Sequence, residues 1–151
     1  MLSMPNLSER APEVSGLLLN MKHLYSELSP ETLETSGTYD DGSTYTLAAW
    51  GGQKNQPGAV VFLRVPNGRT LYSQRVVFTL EGANAKVVIT DENYLGWTVV
   101  IEEGNEVRAR PDILADDSKK PTDFSAVGPL LQEVGKHLED LVASHEANVS
   151  Q

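Results

Sequence analysis

Apolar residues recur along this chain in two distinct periods. From Pro12 to Leu28, Val14, Leu17, Leu18, Met21, Leu24, Tyr25 and Leu28 fall three and four positions apart, which predicts an amphipathic helix. Pro12 suits a first helical turn, and Ser29-Pro30 predicts its end. Residues 30–42 are polar and read as a connecting loop. After Gly42 the period changes to two. Strands are predicted over Ser43–Trp50, Ala59–Val65, Thr70–Leu80, a segment around Ala85–Ile89, another around Trp97–Glu102, and Val107–Arg110. Asn67-Gly68 between two such runs predicts a tight hairpin. The helical period returns from about Ser125 or Pro129 to Ser144, with Val127, Leu130, Leu131, Val134, Leu138, Leu141 and Val142 as its stripe.

The links between strands are too short for parallel crossovers, so neighbours in sequence become antiparallel neighbours in space. The expected fold is α+β: an antiparallel meander of five or six strands flanked by an N-terminal and a C-terminal helix. One strand complicates this reading. Ala59, Val61, Leu63 and Val65 fill one face of it, yet Val60 and Phe62 are apolar on the other. Either both faces are covered, or the sheet curls into a small barrel capped by the C-terminal helix, similar in plan to pleckstrin-homology-like domains. A single domain is expected over residues 12–144, with flexible ends at 1–11 and 145–151.

Charge narrows the partners. The 151 residues carry a net charge of -9. By block the charge is -5 over residues 1–50, +4 over 51–90 and -8 over 91–151, so a mildly basic middle lies between acidic ends. Such a chain is a poor ligand for nucleic acid or for an anionic membrane, both of which are bound through Lys and Arg. No cysteine is present, which excludes disulfides, thiolate nucleophiles and cysteine-ligated metals, and suits a cytoplasmic setting. No signal peptide or membrane-spanning run is visible.

The chemistry is sparse. His23, His137 and His145 show no metal-ligand spacing, and neither a nucleophile elbow nor a phosphate loop occurs. Glu133, His137 and Asp140 could share a helix face, but a solvated flank accounts for them. No catalytic residue, metal or cofactor is assigned. The candidate partner-binding residues are Trp50, Val60, Phe62 and Arg64: Trp50 lies off the apolar face of its strand, and Arg64 shares a face with Val60 and Phe62. The expected function is a non-catalytic, acidic protein-binding module of the adaptor, antidote or chaperone kind. Its partner is another protein, and a homodimer is compatible. The alternatives are a protein binding a small apolar ligand between sheet and C-terminal helix, and an enzyme using carboxylates and His137.

Overall fold

The computed structural model describes residues 24, 32–51, 57–68, 73–81, 84–102 and 107–149. They form seven strands, β1 (Thr32–Thr38), β2 (Thr44–Trp50), β3 (Gly58–Val65), β4 (Gln74–Glu81), β5 (Asn84–Asp91), β6 (Trp97–Glu102) and β7 (Val107–Pro111), then a helix, α1 (Val127–Val149). Every strand pairs antiparallel with the next, in the order β1-β2-β3-β4-β5-β6-β7. The α+β class with an antiparallel meander is therefore the architecture. Among the described strands no pairing joins β7 to β1, so the ladder runs open.

The core lies between one face of the sheet and α1. Register aligns Leu47 with Phe62, Phe62 with Val76, Val76 with Ile89 and Ile89 with Val99, an apolar row across five strands. A second row runs through Ala49, Val60, Phe78, Val87, Ile101 and Val107. Leu131, Val134, Leu138 and Val142 of α1 bury against this face. Their spacing of three and four places them on one helix stripe, and removing that stripe from water is the main force seating the helix.

Four expectations are corrected. The described residues hold seven strands because β1 occupies part of the segment read as a loop. The run Thr32–Thr38 offers one large apolar residue, Leu33, so its period is invisible without its partner β2. Second, Val60 and Phe62 of β3, expected to bind a partner, lie in the core. Val60 and Phe62 face the core at 1% and 0% exposure, while Val61 and Leu63 lie half-buried on the outer face. Both faces of β3 are apolar, and pairing with Leu47 and Ala49 of β2 decides between them. Third, β3 and β4 are not joined by a two-residue hairpin. Arg64 pairs with Gln74, so the turn at Asn67-Gly68 does not by itself join the two strands. Gly68 does adopt the positive φ, 79°, that such a turn requires. Fourth, α1 continues through His145 to Val149.

The predicted N-terminal helix and the 1–11 end lie outside the described residues, Leu24 excepted. Leu24 is helical and packs, half-buried, against the core cluster. No described helix is long and apolar enough to cross a membrane.

Candidate functional site

The candidate site lies where β1 and β2 meet α1. The meander turns from β1 to β2 through Tyr39 to Ser43, and the turn closes with Tyr39 N donating to Ser43 O at 2.8 Å. Asp41 fixes it further, accepting from Ser43 N at 2.9 Å and Ser43 Oγ at 2.5 Å. Those bonds hold the Asp41 carboxyl below its ordinary pKa. The turn delivers Tyr39 to the helix, where its phenol donates to the Glu133 carboxylate.

His137 sits one helical turn further along α1. Its ring stacks on Tyr45 at 4.2 Å between centroids and lies 6.0 Å from Phe62, nearly parallel to both. Tyr39 meets it edge-on at 6.4 Å, with the phenol oxygen 3.4 Å from Nε2. The Glu133 carboxylate is 4.0 Å from the same nitrogen. Arg64 completes the cluster, its guanidinium 4.4 Å from the centroid of the Tyr39 ring and 3.6 Å from Asp41. Two strands, the β1–β2 turn and the helix therefore place Tyr39, Tyr45, Phe62, Arg64, Glu133 and His137 together.

Ring stacking and hydrogen bonding hold this arrangement in place. Burial raises the Tyr39 pKa well above its ordinary value, and the carboxylate of Glu133 raises it further. The phenol thus stays protonated and serves as a hydrogen-bond donor. No buried side-chain nitrogen or oxygen lacks a partner among the described residues. No group of three His, Cys, Asp or Glu could hold a metal ion there either.

A groove of about 430 Å³ opens beside the cluster. Its β-side wall is Thr32 to Thr35 of β1 with Tyr45 behind, and its helical wall includes His137, Asp140, Leu141 and His145. Strand β1 is an edge, since among the described residues no strand pairs with its far side. Edges are usually blunted by lysine, proline or inward charge. The other edge follows that practice, with Arg108, Arg110 and Pro111 in β7. The run TLETSGT of β1 carries a single charge, Glu34, and no proline. A second hollow of about 270 Å³ lies between Asp41, Arg64, Gln74 and Asp91, whose polar groups already engage one another.

The residues expected to bind a partner do not come together on the surface. Val60 and Phe62 are core, sealed beneath α1, so a surface patch drawn through them is corrected by their inward register. Arg64 shares their face but lies at its rim, its head on Tyr39. Trp50 is half-buried on the outer face, in register with Ala59. His137 and Glu133 are not a solvated flank, with side chains 20% and 29% exposed. Their spacing carried that signal. His137 stands three after Val134 and four before Leu141, and Glu133 three after Leu130, so both belong to the buried stripe by position. Tyr39 had no such signal, because it follows a strand the sequence pattern hides.

No protein-family model matches the chain, and no curated protein or solved structure gives a significant match.

Proposed function

We propose that this is a non-catalytic protein-binding module that receives an extended segment of a partner protein along β1, in the groove against α1. One observation carries the reading. An unblunted edge strand runs beside a groove walled by a helix, the geometry in which a peptide adds a strand and drops alternate side chains into pockets. Main-chain bonds to β1 would supply affinity, and the groove would supply selectivity. Glu34 and Asp140 line it together with the half-buried ring of His137. A partner side chain that is flat or cationic fits these walls, and a net charge of -9 draws a basic segment toward them.

The small-ligand reading places its site in the same groove. The walls contributed by Thr35, Asp140 and the two histidines are polar, which disfavours a purely apolar ligand. A cytoplasmic setting, suited to a chain without cysteine, is part of the proposal.

The test is selection of displayed random 12-residue peptides against the purified protein. Selected peptides should be enriched in Lys and Arg alternating with β-formers. Thr35→Trp, which fills the groove, should abolish their binding, and Glu34→Lys with Asp140→Lys should weaken it at least tenfold. Peptides that bind these variants as well as the wild type would overturn the proposal.

A further inference from the structure

Three large apolar side chains stand in water among the described residues: Leu95 at 49% exposure, Ile113 at 100% and Leu114 at 80%. They come from two loops, the β5–β6 connection and the segment after β7. Backbone bonds latch these loops together, Asp112 N to Gly96 O at 2.8 Å and Asp116 N to Leu95 O at 3.0 Å. Gly96, at φ +92°, brings them so close that an added Cβ would stand 2.6 Å from Ala115 Cα.

The exposed pair is held in shape rather than left loose. Leu114 N donates to Asp112 Oδ1 at 2.7 Å, and Ala115 N to Asp112 O at 3.2 Å. Asp116 anchors the loop's far end. Its carbonyl accepts from Trp97 Nε1 at 2.8 Å, and its carboxylate accepts from Ser118 N and Oγ at 2.9 and 2.7 Å. Leu95 adopts left-handed backbone, φ 41°, a conformation unfavourable for a leucine. A short, ordered, water-exposed Ile-Leu tip contributes nothing to the core, and its order lowers the entropy lost on docking.

We propose that Leu95, Ile113 and Leu114 form a second docking element, a preshaped knob that inserts into an apolar pocket with a basic rim on a partner protein. Charge selects this occupant. Glu92, Asp112, Asp116 and Asp117 flank the knob. Against them stand Arg110, Lys119 and Lys120, of which Lys120 lies over the Trp97 ring at 5.6 Å. Four acids against three bases leave the rim at net -1, and a chain of net charge -9 is repelled by an anionic bilayer and by a second copy of itself. The knob follows β5 and β7, whereas the groove lies along β1 at the other end of the strand order, so the two elements are separable by mutation.

The test places p-benzoylphenylalanine at Ile113 in the full chain, in cells of its source, with the same residue at exposed Lys136 as control. The expected result is a light-dependent adduct with one identifiable protein, mapped to an apolar pocket. That protein, purified, should bind the wild type and lose roughly a hundredfold or more in affinity for I113D/L114D, as burial of two aliphatic side chains implies. T35W should leave this affinity unchanged, which separates the knob from the groove. The melting temperature of I113D/L114D should match the wild type. No adduct above the Lys136 control overturns the proposal, as does an adduct only with a second copy. Undiminished affinity of I113D/L114D, or knob-dependent flotation with phosphatidylcholine vesicles, overturns it equally.

Discussion

Replacing Phe62 by alanine removes a fully buried ring from the middle of the inner face. Phe62 is paired across the sheet with Leu47 on one side and Val76 on the other. Its ring also lies 6.1 Å from that of Tyr45 and 6.0 Å from that of His137. A Phe→Ala change at such a position costs about 3–5 kcal/mol, the upper half where the cavity cannot collapse. Backbone-paired β-strands on both sides resist collapse here, and lost ring contacts with Tyr45 and His137 add to the cost. Against a domain stability of about 5–15 kcal/mol, the variant should fold only marginally. Leu63→Ala, one residue on and half-buried on the outer face, should cost about 1 kcal/mol. Urea unfolding followed by tryptophan fluorescence measures both. With a slope of about 2 kcal/mol/M, the F62A midpoint should fall by about 2 M and the L63A midpoint by about 0.5 M. An F62A variant within about 1 kcal/mol of wild type, or L63A costing more than F62A, would refute the register of β3 and the core built on it.

Three further outcomes follow from particular contacts. Tyr39→Phe removes the donor to Glu133 and should cost about 1 kcal/mol at neutral pH, since Glu133 keeps partial access to water. Because the folded state holds the Tyr39 proton above its unfolded pKa, wild-type stability should decline as pH rises beyond about 10. The decline should be shallower in Y39F when urea midpoints are compared between pH 8 and 11. Gly96→Ala should lower stability by at least about 2 kcal/mol, combining left-handed backbone with a collision against Ala115, and calorimetry would show it. Trp97→Phe should cost about 1 kcal/mol through the lost bond to Asp116 O, read from the same unfolding curves.

The sequence pattern was most informative where a strand has one apolar and one polar face. Tyr45, Leu47 and Ala49, then Val76 and Phe78, then Ala85, Val87 and Ile89, and then Trp97, Val99 and Ile101 all face inward as alternation predicts. It was silent for β1, where threonine, serine and glycine satisfy an edge without marking a face. It was ambiguous for β3, where parity follows from the neighbouring strand and not from composition. The site was harder still. His137 and Glu133 look like solvent residues by type and like core residues by spacing, and type is the weaker guide when a tyrosine from a distant turn satisfies them. Tyr39 and Glu133 are 94 residues apart, so no local pattern connects them. Stability here is assembled across long sequence separations. The groove is a by-product of the same assembly, left open where, among the described residues, β1 has a strand neighbour on one side only.

Hydrogen exchange with a display-selected peptide at saturation tests the central claim most directly. Amides of Thr32 to Thr38 should gain at least tenfold protection, and those of Val107 to Arg110, at the blunted edge, should not change. Protection confined to β7, or a bound peptide that leaves β1 exchanging as in the free protein, would contradict the account.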